Sequence, residues 1–238
     1  MSTARRIVIA HSLGHNGRVD PPRDETELTR RLGRLSGLPL AAIAQAQGIA
    51  VPPDLRRSKG WVGTLLEQAL GATGASRAEP DFPALGIELK TIPVDEKGRP
   101  LESCFVASLD LSATDLRWES SAVRKKLARV AWVAVQASKR IPLAQRRCGA
   151  ALLWSPSAEE LAALRGDYED IVSLLEDGAR VTAHTGVSLQ LRPKGKDGSA
   201  LRWALDEEGQ VSRTAPRAFY LRRGFTEALL ARNFTLPS

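Results

Sequence analysis

The sequence of 238 residues predicts a mixed α/β fold. Short segments rich in β-forming residues alternate with longer segments in which apolar residues recur every three or four positions, the period of an amphipathic helix. The clearest helix runs from Ser157 to Glu176, where Ser157 and Glu160 have the spacing of a capping box. No internal repeat is present, which argues against a solenoid. The stripe expected to be buried is Leu161, Leu164, Tyr168, Ile171 and Leu175.

Further helices and strands follow from the same patterns. Asp24 and Glu27 resemble a capping box that opens a first helix, and a second helix is expected at about 40–47. One strand is expected around Glu88. Further strands are predicted at 103–109, 131–136, 150–154, 180–184, 187–192 and 218–222.

A third helix, expected to be capped by Ser58 and to end at Gly71, contains Glu67. Glu67 lies on the side of this helix that otherwise holds glycines, and glycine weakens a helix by up to ~1 kcal/mol relative to alanine. Close approach of another group would compensate for that cost. Glu67 is therefore a candidate acidic ligand or a residue that orients water, although a solvated glutamate on an exposed face explains the pattern equally well.

The composition favours a polyanionic partner or an anionic membrane surface over a small neutral ligand. Lys and Arg number 34 against 27 Asp and Glu, which gives a net charge of +7 and a pI near 9.8. The longest early apolar run, Ile7 to Ala10, is too short for a signal peptide or a membrane span, so a cytoplasmic protein is expected. Residues 1–22 are expected to be a poorly ordered extension, followed by one domain at 23–238.

Cysteine and histidine ligands are not expected. Cys104 in a predicted strand and Cys148 beside a basic loop indicate neither a disulfide framework nor a zinc cluster. His11 and His15 lie in a glycine-containing stretch that argues against a helix, and His184 is isolated.

The segment PDFPALGIELK, which ends at Lys90, places charged residues in an apolar strand pattern. Successive strand side chains alternate faces, so Glu88 and Lys90 leave one side while Ile87 and Leu89 face a core. If Asp81 and Glu88 converge, their carboxylates and the Leu89 carbonyl provide the oxygen ligands that Mg²⁺ prefers. Lys90 would then lie beside the metal, placed to orient or deprotonate a water that attacks a phosphorus.

An ordinary ion pair on a half-exposed strand is the alternative explanation for Glu88 and Lys90. A second acidic-x-Lys string occurs at Asp95-Glu96-Lys97. There Gly98 and Pro100 predict a turn, in which carboxylates point into solvent instead of converging. The strand setting is what distinguishes the first string from the second.

A basic helix is predicted after Ser121. The residues expected to face inward are Val123, Leu127 and Val130, and those expected to face outward are Arg124, Lys125, Lys126 and Arg129. Because these two turns contain no acidic residue to form pairs between positions i and i+4, the outward face favours phosphate contact over a simple solvated surface.

Two residues are candidates for base recognition. Arg192, at the start of a glycine-containing loop, could pair bidentately with guanine in the major groove. Tyr220 has a hydroxyl for an adenine edge and a ring that could sense a methyl group. A surface arginine and a buried strand tyrosine are the more common explanations of such residues.

Several segments together resemble the MutH family, the DNA mismatch-repair endonucleases of the PD-(D/E)xK nuclease superfamily. The resemblance spans about residues 24 to 236 in colinear order. The matching strings are KGWVGTLLE at 59–67, DFPALGIELKTIPVD at 81–95, GRPLE at 98–102, IPLAQRR at 141–147, LLWSP at 152–156 and FYLR at 219–222.

This resemblance implies a restriction-endonuclease-like mixed sheet flanked by helices, with two lobes that form a DNA-binding cleft. The N-terminal lobe would contain the catalytic motif and the C-terminal lobe the DNA-recognition elements. The implied activity is Mg²⁺-dependent nicking of the unmethylated strand at hemimethylated GATC, 5′ to the G. The implied partners are double-stranded DNA, MutS and MutL, and the protein is expected to be a monomer.

By position, the resemblance implies that Asp81 and Glu88 are metal ligands, that Lys90 is the catalytic ammonium and that Glu67 is a further acidic active-site residue. Tyr220 would sense adenine methylation. The remaining residues that fall where the family contacts DNA are Lys59, Phe105, Lys126, Arg192 and Pro193.

Two alternatives remain at this stage. A GATC-type restriction endonuclease would cut both strands and would usually dimerise or repeat its catalytic domain, whereas one catalytic motif favours nicking of a single strand. A non-catalytic DNA-binding repair protein that kept the fold would bind DNA without any Mg²⁺-dependent strand break.

Overall fold

The structure, a computed structural model, confirms the mixed α/β class and describes residues 19–74, 79–109, 115–179, 181–182, 184–194, 202–205, 211–214 and 216–233. The helices are α1 (Glu25–Leu35), α2 (Leu40–Ala46), α3 (Trp61–Leu70), α4 (Ala122–Leu127), α5 (Ala158–Glu176) and α6 (Arg223–Asn233). The strands are β1 (Glu88–Val94), β2 (Cys104–Ser108), β3 (Val130–Gln136), β4 (Cys148–Trp154), β5 (Leu189–Pro193), β6 (Arg202–Leu205), β7 (Val211–Thr214) and β8 (Arg217–Leu221).

The chain divides into two compact units. The first comprises Met1–Glu96 and Ala131–Leu153, and the second comprises Lys97–Val130 and Trp154–Ser238. His11, His15 and most of the predicted extension lie outside the described residues. Of the predicted strand at 180–184, the described residues 181, 182 and 184 are not in a strand. In the described parts of the chain, no helix is both long enough and apolar enough to cross a lipid bilayer.

The first unit packs α1, α2 and α3 against a three-stranded sheet of order β1-β3-β4. Its core joins apolar residues of these helices, such as Leu28 and Leu66, to Ile87 and to Val133 of β3. Half of the predicted capping box of α1 is confirmed, because Asp24 accepts a hydrogen bond of 2.7 Å from the backbone N–H of Glu27. In the other half, Glu27 accepts from the backbone N–H of Arg23 instead of Asp24. An apolar stripe on each helix therefore produces one continuous core.

The predicted cap of α3 is wrong. Ser58 makes no side-chain cap, and the N-cap residue is Gly60 in the left-handed conformation, with φ of 83°. Glycine adopts this conformation without the clash that a Cβ would cause, so the chain turns sharply into the helix at that position. The predicted end of α3 at Gly71 is confirmed.

Arg31 joins α1 to the end of α3. Its buried guanidinium donates to the carbonyls of Asp20 and Leu70 at 2.6 and 2.9 Å, and to Glu27 at 2.7 Å. A Cβ on Gly71 would lie 2.3 Å from the Asp20 carbonyl oxygen, so only glycine permits this approach. The C-terminal end of α3, three residues beyond Glu67, is thereby fixed to α1.

The second unit contains a sheet of order β2-β8-β5 and the hairpin β6-β7. One face of the β2-β8-β5 sheet packs against α5. There the ring centres of Tyr168 on α5 and Phe219 on β8 are 5.0 Å apart. The capping box of α5 is confirmed in both directions. The prediction that Leu161 is buried is wrong, because it is 39% exposed and the buried stripe begins one turn later at Leu164. The hairpin β6-β7 was not predicted.

The basic helix α4 differs from its prediction in its length and in the exposure of two cations. It ends at Leu127, so Arg129 and Val130 lie beyond it, and Arg129 is only partly exposed. Val123, Leu127 and Val130 are buried as expected, and Arg124 and Lys125 are exposed. Lys126, predicted to face outward, is only 9% exposed. It lies three positions after Val123, on the same helical face, so its alkyl chain is covered together with the apolar stripe.

Glu27 should stabilise the fold in a pH-dependent way. The hydrogen bond from Arg31, together with bonds from Arg23, lowers the pKa of Glu27 from 4.5 to about 2. A depressed pKa in the folded state contributes stability that is fully present above pH 4.5 and is lost as the pH falls towards 2. Chemical denaturation should show Glu27→Gln less stable than wild type at neutral pH, with the difference shrinking over that interval. A difference that does not change with pH would contradict this assignment.

Candidate active site

A tight turn between Phe82 and Ile87 builds the candidate active site. The two residues form an antiparallel bridge in which each backbone N–H donates to the other's carbonyl, at 2.9 and 3.3 Å. Their side chains are buried in the core. Asp81 and Glu88 are the next pair outward, and opposite residues of antiparallel strands project from the same face. The six residues between Asp81 and Glu88 thus form a turn that directs both carboxylates to one side.

Asp81 also bonds to the strand itself. Its Oδ2 accepts a hydrogen bond of 2.8 Å from the backbone N–H of Leu89. The N–H and C=O of one strand residue point to the same edge, so the Leu89 carbonyl is directed to the edge where Asp81 lies. The candidate donors are therefore two carboxylates and one carbonyl, all hard oxygen ligands, which would fit Mg²⁺ better than a soft metal.

Glu88 and Lys90 form a buried pair on the face opposite Ile87 and Leu89, as the strand pattern predicts. The Lys90 Nζ lies 3.2 Å from the Glu88 Oε1, and the two residues are 7% and 5% exposed. Burying an ion pair has a desolvation cost that an exposed pair avoids. This burial contradicts the alternative of an ordinary surface ion pair.

The second acidic-x-Lys string has the solvent-exposed character that the sequence predicts. Residues 96–98 form a turn, and Glu96 and Lys97 are exposed. Glu96 accepts a hydrogen bond of 3.0 Å from the Ser138 hydroxyl, also at the surface. The strand environment, not the string itself, distinguishes Glu88 and Lys90.

Glu67 comes from α3, which packs against β1 and is joined to Asp81 through the backbone. The N–H groups of Thr73 and Gly74, just beyond the helix, both donate to the Asp81 carbonyl at 3.0 Å. Among the described residues, no three His, Cys, Asp or Glu side chains already form a metal-binding cluster. The role of Glu67 as an active-site residue therefore stays a prediction, and so does that of Lys59, which is exposed just before Gly60.

The second unit brings together the aromatic and cationic residues that were expected to contact DNA. Phe105 and Tyr220 are opposite each other on β2 and β8, with ring centres 5.6 Å apart in an edge-to-face arrangement. The Arg192 guanidinium lies 5.7 Å from the Tyr220 ring centre. Pro193 follows on β5. Phe105 is 38% exposed, so this surface presents a large ring together with a cation.

Lys194 belongs to a basic cluster of the sequence at 192–196, but sequence reasoning did not place it on this surface beside Phe105. Its Nζ lies 4.8 Å from the Phe105 ring centre and 3.0 Å from the Ser108 hydroxyl. The available signal was its position two residues after Arg192, since strand residues two apart share a face. Lys126, by contrast, is buried on α4, which packs against β2, so its expected DNA contact remains a prediction.

Burial raises the pKa of Tyr220 above its usual value of 10.0; nearby Arg192 acts in the opposite direction, and Glu102 adds to the increase. The phenol is therefore protonated at neutral pH and has an O–H to donate. Burial also raises the pKa of Cys148 to about 12, so this thiol is not a nucleophile under ordinary conditions.

Comparison with known proteins identifies the family. The family model described as DNA mismatch repair enzyme MutH matches residues 70–167. The chain is 52% identical to the DNA mismatch repair protein MutH of Serratia proteamaculans over 217 residues, covering 90% of this chain and 95% of that protein. It is 50% identical to the protein of that name from Yersinia enterocolitica over 219 residues, covering 91% and 96% of the two chains.

The chain belongs to the MutH family. It is therefore a DNA mismatch-repair endonuclease, and the family resemblance seen in the sequence is confirmed. The matched segment of the MutH family model contains Asp81, Glu88 and Lys90, whereas Glu67 and Arg192 lie outside it. A relative from Salmonella paratyphi B with the same name is 50% identical over 223 residues, covering 92% of this chain and 96% of that protein.

Gly74 should be needed for the position of Asp81 in this MutH-family site. A Cβ at position 74 would lie 2.7 Å from the Pro80 carbonyl oxygen, so Gly74→Ala must displace the backbone next to Asp81. We expect DNA nicking to fall about tenfold or more, because small displacements of catalytic groups are costly, with a loss of stability of about 1–2 kcal/mol.

Gly33→Ala is the matched control for this variant. Nothing lies within 4 Å of a Cβ at that position on α1, so the protein should be about 1 kcal/mol more stable and equally active. Full activity of Gly74→Ala in a nicking assay, or an equal loss in both variants, would contradict the positional role of Gly74.

Proposed function

We propose that this protein is a Mg²⁺-dependent endonuclease that nicks the unmethylated strand at hemimethylated GATC sequences, 5′ to the G, in methyl-directed mismatch repair. The observation that carries the proposal is the backbone bridge between Phe82 and Ile87, because its geometry directs Asp81 and Glu88 to one side, where the buried ammonium of Lys90 contacts Glu88. Membership of the MutH family supports the same chemistry. The roles of the individual site residues are part of this proposal.

Hydrolysis of a phosphodiester requires stabilisation of negative charge and activation of a water molecule. Asp81 and Glu88, with the Leu89 carbonyl, would hold the ion, and bound Mg²⁺ would supply Lewis-acid stabilisation of the charge at phosphorus. Lys90, beside Glu88, would orient or deprotonate the attacking water or stabilise charge on the phosphate. Glu67 would add an acidic group on the helix whose end is bonded to Asp81.

Recognition of the duplex is assigned to the second unit. Arg192 would pair with a guanine edge, and Tyr220 would contact the adenine and sense its methylation, with Phe105 and Pro193 beside them. Lys59 and Lys126 would contact phosphates. If about six to eight cations neutralise phosphates, the logarithm of affinity should fall with the logarithm of salt concentration with a slope of roughly −5 to −7.

Several finer points belong to the same proposal. We infer that MutS and MutL activate the enzyme, that it is a monomer and that it acts in the cytoplasm on hemimethylated duplex DNA. The two-lobed DNA-binding cleft implied by the family also remains a prediction. Neither a GATC-type restriction endonuclease nor a non-catalytic repair protein is favoured by the family assignment.

The proposed specificity can be tested with plasmids that carry unmethylated, hemimethylated or fully methylated GATC. With Mg²⁺ present, we expect nicking of only the unmethylated strand of the hemimethylated plasmid and no cleavage of the fully methylated one. Mapping the nick by primer extension should place it 5′ to the G. Cleavage of the methylated strand, or equal nicking of a plasmid without GATC, would overturn the proposal.

The metal-ligand role of Asp81 can be tested without disrupting the fold. Asp81→Asn keeps an oxygen that can accept from the Leu89 N–H but removes the charge that attracts a cation, so nicking should fall at least about 100-fold with little change in thermal stability. Glu79→Gln, an exposed position two residues earlier, is the control and should retain activity. Nicking by Asp81→Asn at the wild-type rate would contradict the assignment.

A further inference from the structure

The strand that contains Arg192 and Pro193 is attached to its sheet on one side only. In the order β2-β8-β5, strand β5 is an edge strand with β8 as its neighbour. Bonds from the Arg222 N–H to the Ser188 carbonyl and from the Lys194 N–H to the Pro216 carbonyl, at 2.8 and 2.6 Å, fix the register, so within β5 the backbone groups of Gln190 and Arg192 face β8. The N–H of Leu189 therefore points away from β8. Ser188 lies in the bend before the strand, where its N–H is not bound by this alternation. An edge strand of this kind needs other contacts to fix its free side.

Asp167, on α5, contacts the start of β5 and the loop before it. Its carboxylate accepts three consecutive backbone N–H groups, from Val187, Ser188 and Leu189, at 2.8, 2.6 and 2.8 Å. Asp167 is only 9% exposed. Hydrogen bonds from backbone N–H groups to a charged acceptor are stronger than neutral ones, and three of them at one carboxylate define the position of the chain closely.

The loop before β5 is shaped around this carboxylate. Gly186 has φ of +84°, and a Cβ there would lie 2.1 Å from the Leu189 carbonyl oxygen and 3.2 Å from the Asp167 Cγ. Val187 is 84% exposed, so apolar burial of its side chain does not hold the loop in place. The contact with Asp167 and the complete burial of the Leu189 side chain therefore hold residues 187–189 outside the backbone ladder.

The position of β5 decides where the recognition residues lie. Arg192 follows Leu189 by three residues on the same short strand, with Gln190 opposite Tyr220 and Arg192 opposite Ala218. A displacement at the start of the strand would therefore move the Arg192 guanidinium relative to the Tyr220 ring. Recognition of base edges depends on such positions to within about 0.5 Å.

We propose that Asp167 is a positioning residue for DNA recognition, which holds the start of β5 so that Arg192 and Pro193 meet the bases of the target sequence. This inference rests on the proposed function, in which Arg192 contacts DNA. Asp167 acts through β5, so its loss should impair binding and discrimination between sequences. The hydrolytic step, assigned to Asp81, Glu88 and Lys90, should be preserved at saturating DNA.

The test compares Asp167→Asn with Asp170→Asn, an exposed aspartate on the same helix that undergoes the same change of charge. For each, kcat and KM are measured on a hemimethylated GATC duplex and on the same duplex with one base pair of the site replaced. We expect Asp167→Asn to raise KM for GATC about tenfold and to reduce discrimination between the duplexes, because one bidentate base contact contributes about that much. Its kcat should stay within about twofold of wild type, and Asp170→Asn should match wild type throughout.

Other outcomes are equally informative. A purely structural role would lower the active fraction, so kcat would fall equally on both duplexes while KM and discrimination stayed constant, and this result would overturn the proposal. Unchanged kinetics of Asp167→Asn would also overturn it. Failure of the wild-type protein to nick GATC would instead contradict the proposed function, so the two failures can be told apart.

A measurement on wild-type protein covers the case in which Asp167→Asn does not fold. Amide hydrogen exchange followed by NMR should show the N–H groups of Val187, Ser188 and Leu189 protected, even though the Val187 side chain is exposed. Fast exchange at these three amides would show that the carboxylate does not hold them and would overturn the proposal without any variant.

Discussion

The hydrogen-bonded bridge between Phe82 and Ile87 is the constraint on which the candidate active site depends. It inserts two apolar side chains into the core and, by strand geometry, directs Asp81 and Glu88 to the same side. The free energy that directs both carboxylates to one side comes from burial of Phe82 and Ile87 and from backbone hydrogen bonds, since the carboxylates themselves repel. If Asp81 and Glu88 hold a cation as proposed, the backbone fixes their direction before the cation arrives.

The two units use different means to position functional side chains. In the first unit, backbone groups at the end of α3 bond to the carbonyl of Asp81, so a helix and a turn are joined without any side chain. In the second unit, a buried carboxylate, Asp167, bonds to the backbone of an edge strand. In both cases, the candidate functional side chains project from a backbone that is held by hydrogen bonds to a neighbouring helix or the residues just beyond it.

Local patterns predicted much of this structure. Strand alternation gave the faces of Glu88 and Lys90, and the capping box gave the start of α5, because both depend on residues adjacent in sequence. The cap at Gly60, the burial of Lys126 and the contacts of Asp167 were missed, since each depends on the backbone conformation or on neighbours distant in sequence. The contact of Lys194 with Phe105 could not be predicted either, because it depends on β2 and β5 lying on either side of β8.

The central claim is that Asp81 and Glu88 converge on one divalent cation beside Lys90. Crystals grown with Mn²⁺, which takes the same oxygen ligands as Mg²⁺ and scatters anomalously, test it most directly. The account predicts an anomalous peak within about 2.5 Å of a carboxylate oxygen of both residues and of the Leu89 carbonyl oxygen. A peak bound by only one of the two carboxylates, or no peak at this turn in crystals that diffract well, would contradict it.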